Sequence, residues 1–309
     1  MPTPRPALAR FQERLLRFAI LLAAAFVLLQ TAQPAFAEPP QHRYFKTSDG
    51  LRLHYIEAGS GPETLVFVPG WMMPAEVFTR QISGLSKQYR VIAFDPRSQG
   101  LSTVSKGSHS PAVRNRDLRE LLQSVNPGPF LLAGWSLGVL EVLDFLARSN
   151  PENLAGIVLI DNSIGFGVPP SSRSAPAPSH SPEERASRLR AFARSLTKKA
   201  LPTPLFEAIH RSALQVPESV ARELVQKPYP RQYWRSALLK QKVPVLYAVR
   251  PQYEVQGREF ETERPALATT VLFPKAGHAL FLDDAPRFNQ TVLDFARHAF
   301  SQTGSRSKK

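Results

Sequence analysis

The chain has 309 residues, 43% of them hydrophobic, which suits one large α/β domain with an inserted element or two small domains. It has no cysteine, which excludes disulfides, a thiolate nucleophile, a cysteine-based zinc site and lipid attachment at cysteine. The formal net charge is +14, a surplus that favours weak attraction to anionic surfaces or simply serves solubility, and no nucleic-acid-binding motif accompanies it.

Residues 1–37 read as an export signal. Arg5, Arg10, Arg14 and Arg17 stand against Glu13 alone, so this segment carries +3 and the remainder +11. The apolar run 18–29 is short for a membrane span, and Ala35-Phe36-Ala37 gives the small-x-small pattern of a cleavage site. The expected mature chain starts near Glu38, in the periplasm or secreted. The alternative is a chain anchored in the membrane by an uncleaved segment.

Segments 44–47 and 51–56 read as strands joined at the turn Ser48-Asp49-Gly50. Segment 64–68 (TLVFV) is a buried strand ending in Pro69-Gly70-Trp71-Met72-Met73. A helical pattern over 75–89 precedes another buried strand, 90–94, and the segment Asp95-Pro96-Arg97-Ser98. An amphipathic helix is expected over 111–125.

The apolar run 130–133 then enters Gly134-Trp135-Ser136-Leu137-Gly138, with a helical pattern directly behind it. This is G-x-S-x-G between a strand and a helix, the nucleophile elbow. The turn strains the serine backbone, and the small flanking residues let the helix lie close to the strand. The helix start aims backbone N–H groups at the place where negative charge develops on a substrate.

Segment 154–160 is the next strand and ends at Asp161-Asn162-Ser163. Segment 168–182 is rich in Pro and Ser and reads as a linker. Segment 183–240 is basic and mostly helical, broken at Pro202, Pro204, Pro217, Pro228 and Pro230. Strands follow at 243–249 and 269–273, then Ala276-Gly277-His278, an amphipathic helix over 285–300 and a polar basic tail that reads as disordered. Alternating strands and helices predict a doubly wound, mostly parallel sheet, whose functional groups gather past the carboxyl ends of the strands. Trp71, Ser136, Asp161 and His278 all lie there.

With the motifs in this order, PGW, Asp-Pro-Arg, GWSLG and AGHALFLDDAPRFN, the chain resembles the α/β-hydrolase family, close to its small serine esterases and cofactor-free haloperoxidase-like members. The resemblance runs from about residue 44 to about residue 300. It implies an α/β-hydrolase core in two parts, 38–164 and 243–300, with a helical cap or lid inserted at 165–242 and a basic tail at 301–309. There are departures. The family usually has His-Gly where this chain has Pro69-Gly70, and Gly where it has Ser98. The family's acid normally follows the strand before the last, where this chain places Tyr253.

Serine needs a base within hydrogen-bond reach. Of the seven histidines only His278 follows the last strand on a short glycine-containing loop. His298 lies on a helix, His109 and His180 in loops, His210 in the insertion, and His42 and His54 beside the opening hairpin. For the acid, the resemblance offers Asp161, a position some family members use, and Glu254, next to the usual one. Asp161 is the expected acid and Glu254 the alternative. Asp95 reads as the organiser of its loop. The resemblance implies an oxyanion hole from the backbone N–H groups of Trp71 and Leu137. Trp71, Met72, Met73 and Trp135 are candidates for the acyl pocket, with core packing an equal reading for Trp135.

The expected function is an exported serine hydrolase that cleaves a carboxylic ester, a small-molecule substrate, through an acyl-enzyme on Ser136 with His278 as general acid/base. No metal, nucleotide or organic cofactor is implied. The alternatives are a non-catalytic ligand-binding member of the fold, an acyltransferase or a perhydrolase. The sequence leaves the oligomeric state open.

Overall fold

The computed structural model describes residues 39–167, 181–226 and 229–306. The expected export segment, residues 168–180 of the Pro- and Ser-rich stretch, Pro228 and residues 307–309 lie outside these.

The strands β1 (Gln41–Lys46) and β2 (Arg52–Ala58) form an antiparallel hairpin across the expected turn. The strands β3 (Thr64–Val68), β4 (Arg90–Phe94), β5 (Phe130–Trp135), β6 (Leu154–Ile160), β7 (Val245–Val249) and β8 (Ala268–Leu272) follow in the chain. Together they make one eight-stranded sheet in the order β1-β2-β4-β3-β5-β6-β7-β8, parallel from β4 to β8. Every residue of β3, β5, β6 and β7 is buried. These segments are therefore nearly unbroken apolar runs rather than alternating ones.

The helices cover both faces. They are α1 (Thr79–Leu85), α2 (Pro111–Val125) and α3 (Leu137–Arg148) among the first strands, then α4 (Pro182–Ser195), α5 (Thr203–Gln215), α6 (Glu218–Leu224) and α7 (Arg231–Leu239) between β6 and β7. The chain closes with α8 (Glu254–Glu263) after β7, and α9 (Leu280–Asp283) and α10 (Ala285–Arg306) after β8. Successive strand residues face opposite sides of a sheet. Leu65, Phe67, Leu131 and Ala133 accordingly share one core with Ile82 of α1 and Phe288 of α10. Val66, Val68 and Leu132 share the other with Leu118 of α2 and Val142 of α3. Burying one such side chain contributes about 1.5–3 kcal/mol. An exposed pair such as Asp294–Arg297 on α10 contributes about 0–1 kcal/mol. The apolar stripe, not the surface charge, fixes α10 in place.

The insertion breaks where proline dictates. Pro202, Pro217 and Pro230 stand immediately before α5, α6 and α7, and Pro204 lies in the first turn of α5. A missing N–H is harmless at those positions. Ser181 caps α4 by accepting from Glu184 N–H at 3.1 Å.

Three expectations need correction. The helix expected over 75–89 begins as a 3-10 turn, Ala75–Phe78, and its α portion ends at Leu85. Tyr89 N–H then bonds back to the Leu85 carbonyl and turns the chain into β4. The closing helix does not stop at Phe300 but runs to Arg306, through six of the nine residues of the expected tail. No proline interrupts it, and Ser301 and Thr303 bond back to the carbonyls of His298 and Phe300. Finally, α8 occupies a stretch with no assigned element in the sequence reading. It is short, and Phe260 is its one large apolar anchor.

Candidate active site

β5 runs straight into Ser136, whose backbone sits at φ 54° and ψ −119°. A non-glycine residue there is strained, and strain of this kind persists only where its surroundings enforce it. They do so here. Ser136 N–H bonds to the Ile160 carbonyl at 3.0 Å, and the Ser136 carbonyl accepts from the Asn162 side chain at 2.7 Å. The two glycines of the pentad are required by contact. A Cβ on Gly134 would lie 2.3 Å from the Gly138 carbonyl oxygen, and one on Gly138 would lie 2.3 Å from that of Val68.

Asp161 is the first residue past β6. It is fully buried, has φ 50°, and is tied to β7 by its N–H bonding to the Ala248 carbonyl at 3.0 Å. His278 reaches the same place from the loop after β8. That loop is held by Gly277 N–H on the Asp283 carboxylate at 2.7 Å and by the Trp135 indole N–H on the His278 carbonyl at 2.9 Å.

The three side chains meet. His278 Nε2 is 2.8 Å from Ser136 Oγ, and His278 Nδ1 is 2.6 Å from Asp161 Oδ2. A carboxylate only accepts, so Nδ1 carries the proton and Nε2 faces the serine hydroxyl as acceptor. Chemically this arrangement lets the imidazole take the serine proton while the carboxylate stabilises the resulting positive ring.

Glu254 does not join them. It opens α8 and pairs with Arg258 one turn on, at 3.1 Å. Tyr253, at the family's usual acid position, is buried next to Asp161. Burial, helped by the Asp161 charge, pushes its phenol up to about 12, so it stays neutral. Asp95 organises its loop as expected, accepting from Ala75 N–H, Leu101 N–H and His54 Nδ1. Ser98, where the family has glycine, adopts φ 67°, and its hydroxyl is held by His109 Nε2 at 2.8 Å and Ser105 N–H at 3.0 Å.

The oxyanion donors that the resemblance implies, Trp71 and Leu137, flank Ser136. Leu137 is the first residue of α3, so its N–H has no partner within the helix. Gly70, just before Trp71, comes so near that a Cβ there would lie 3.0 Å from Ser136 Cβ. No described residue accepts a backbone hydrogen bond from Trp71 or Leu137.

A cavity of about 210 Å³ opens onto Ser136 and His278. Its walls are Trp71, Met73, Trp135 and Leu137 from the core and Phe192, Leu196 and Leu224 from the insertion. Met72 does not line it. That side chain turns away at φ 59° and packs with Leu189, Val216 and Leu224 of the insertion. The turn carrying Trp71 and Met72 is thereby clamped to the insertion. Trp71 Nε1 donates to the Ala221 carbonyl at 2.7 Å, and Ser212 Oγ donates to the Met72 carbonyl at 3.0 Å.

The sequence reading missed one charged neighbour. Arg250 Nε donates to Asp161 Oδ2 at 2.7 Å, and its backbone N–H to Asp161 Oδ1 at 3.0 Å. No local sequence signal announces it. With β6 and β7 parallel and adjacent, an acid just past one strand and a base just past the other are neighbours in space.

Sequence comparison places this geometry among known proteins. The profile of the alpha/beta hydrolase family matches residues 65–291. The chain is 32% identical over 126 residues to a non-heme chloroperoxidase of Streptomyces lividans, covering 40% of this chain and 44% of that protein. The chain thus spans less than half the length of that relative. It is 27% identical over 292 residues to a 2-hydroxy-6-oxononadienedioate/2-hydroxy-6-oxononatrienedioate hydrolase of Paraburkholderia phymatum, covering 84% of this chain and 96% of that protein. Among solved structures, an esterase from Rhodococcus superposes with a TM-score of 0.70 at 22% identity, covering 83% of this chain and 98% of the other. A bromoperoxidase from Bacillus anthracis gives 0.68 at 17% identity, covering 83% and 100%. At such identities the structural likeness speaks to the fold.

Proposed function

The chain belongs to the alpha/beta hydrolase family, and we propose that within it this protein is a serine hydrolase acting on carboxylic esters. The observation that carries the reading is the continuous contact Ser136 Oγ to His278 Nε2, and His278 Nδ1 to Asp161 Oδ2. Esterases among the structural neighbours support it at the level of fold.

In this reading Ser136 Oγ attacks the ester carbonyl carbon as His278 Nε2 takes the hydroxyl proton. The oxyanion is held by the N–H groups of Trp71 and Leu137, each donor of this type being worth about 10²–10³ in rate. His278 then returns the proton to the departing alcohol, leaving an acyl group on Ser136. A water, deprotonated by the same nitrogen, releases the acid and restores the serine. Asp161 is the acid of the triad. The helices α4 to α7 act as a cap whose Phe192, Leu196 and Leu224 shield the acyl group from solvent.

The test is hydrolysis of a short-chain p-nitrophenyl ester together with labelling by a fluorophosphonate probe. The parent should do both and Ser136→Ala neither. A folded parent that turns over no ester and takes up no probe would return the protein to the non-catalytic, ligand-binding reading. We propose further that residues 1–37 direct export, on the strength of the sequence pattern alone. N-terminal sequencing of the exported protein should begin near Glu38.

A further inference from the structure

We propose that Arg250 is a positioning residue that holds the buried carboxylate of Asp161 and, by opposing positive charge on the His278 ring, sets the lower pH limit at which the site works. The inference rests on the reading of Ser136 and His278 as nucleophile and base.

The geometry points there in three steps. First, Asp161 is fully buried, and a buried carboxylate is costly unless paired and hydrogen-bonded. His278 supplies one donor, but a neutral imidazole supplies no charge. Arg250 supplies both, with two N–H groups on the two carboxylate oxygens. Second, Arg250 Nε and His278 Nδ1 share one oxygen, Asp161 Oδ2, at 2.7 and 2.6 Å. A carboxylate already neutralised by a guanidinium stabilises a second cation less. Third, Arg250 Nη2 lies 3.5 Å from His278 Nδ1 itself. A proton on the ring thus places two positive charges side by side.

The other titratable groups near Asp161 and on the His278 loop do not substitute for Arg250. Tyr247, on β7, and Tyr253, in the turn after it, are phenols that burial keeps neutral. On the histidine's own loop, Asp283 is occupied by the backbone N–H groups of Gly277, Lys198 and Lys199, and the Lys199 ammonium bonds to the Asp283 carbonyl. Arg250 is the cation that touches the Asp161–His278 pair among the described residues.

The sign follows directly. Hydrolysis needs the neutral ring, so activity falls as pH drops through ring protonation. Removing the guanidinium leaves Asp161 free to hold the imidazolium, and the acid limb moves to higher pH.

The experiment measures kcat/KM for an uncharged ester against pH in the parent, Arg250→Gln and Arg250→Lys, and follows the His278 ring by ¹⁵N NMR over the same range. In Arg250→Gln the acid limb and the NMR midpoint should both move up by about one pH unit, while Arg250→Lys, which keeps the charge, stays within about a few tenths. A limb in Arg250→Gln that coincides with the parent's overturns the proposal. So does an Arg250→Lys limb that moves as far as that of Arg250→Gln. Should Arg250→Gln not fold, Arg250→Met takes its place with the same expectation: a limb and NMR midpoint moved up by about one pH unit support the proposal, and a limb that coincides with the parent's overturns it. If the parent neither hydrolyses ester nor takes up fluorophosphonate, the hydrolase reading fails, yet the NMR midpoints still report whether Arg250 opposes charge on the ring.

Discussion

The indole N–H of Trp135 donates to the carbonyl oxygen of His278 across 2.9 Å, and the two rings lie 5.2 Å apart. The residue before Ser136 therefore anchors the loop that carries His278. Trp135 is only 1% exposed, so the sequence reading of core packing and that of pocket lining are both met by one side chain. Its polar edge is what neither reading anticipated.

Trp135→Phe keeps most of the apolar volume and removes the donor. The His278 carbonyl then lacks this partner, at a cost of about 1–3 kcal/mol, and the base is less firmly placed. We expect kcat/KM to fall about tenfold or more, since small misplacements of a reacting group are costly. Steady-state kinetics beside urea unfolding checks this. A loss of stability without a loss of kcat would show that the bond serves folding alone.

Asp161→Asn and Glu254→Gln separate the two candidate acids. Asparagine at 161 can present an amide N–H to Nδ1 and favour the wrong tautomer, so kcat should drop by about 10³–10⁴. Glu254 pairs with Arg258 on an open helix face, with side chains 34% and 66% exposed. Such a pair is worth about 0–1 kcal/mol, and Glu254→Gln should leave kcat within about twofold. Ester hydrolysis by the purified variants decides. A collapse in Glu254→Gln with Asp161→Asn intact would reverse the assignment.

Ser212 offers a test of the clamp between insertion and oxyanion turn. Its hydroxyl donates to the Met72 carbonyl and accepts from Gly100 N–H at 2.9 Å. Met72 is held at positive φ directly beside Trp71. Ser212→Ala frees that carbonyl and lets the turn relax, which moves the Trp71 donor. The expected result is kcat down about fivefold to tenfold with KM nearly unchanged, because the donor acts on charge that develops only in the transition state. An equal rise in KM with kcat preserved would mean that Ser212 shapes the pocket instead.

Much of this was legible in the chain, for physical reasons. Central strands buried on both faces must be apolar throughout, so 64–68, 90–94 and 154–160 could be read with their observed boundaries. The pentad was legible because its glycines answer a steric demand that few residues meet. The acid was harder. The contact of the buried Asp161 with His278 favours it as the proposed acid, but that burial is a product of how β6 and β7 pack, and no local pattern encodes it. Arg250 was harder still. Its role exists only because two strand ends distant in sequence become neighbours. Met72 turns away from the pocket because its direction depends on a positive φ that its side chain does not announce. Residues 301–306 are helical despite their polar composition because a helix already anchored by Phe288, Val292 and Phe295 needs no further apolar residues to continue.

Asp49, in the opening hairpin turn, predicts how the fold responds to acid. Burial alone pushes its carboxyl up. The Thr47 hydroxyl and the guanidiniums of Arg97 and Arg116 outweigh that, at 2.5, 3.1 and 2.5 Å, and bring it from 3.8 down to about 2. A carboxyl lowered on folding stabilises the native state above its unfolded value and loses that contribution as pH falls from near 4 towards 2. The side chain is 36% exposed, so solvent screening reduces the effect to about 1 kcal/mol. Arg97 stays anchored without it, because Asp117 holds the same guanidinium through two bonds at 2.5 and 2.6 Å. Asp49→Asn should therefore unfold at lower urea than the parent at pH 7, by about 1 kcal/mol, and the gap should close as pH approaches 2. Paired urea titrations at pH 7, 4 and 2.5 measure it. A gap that stays constant across that range would mean that Asp49 acts through turn geometry and not through its charge.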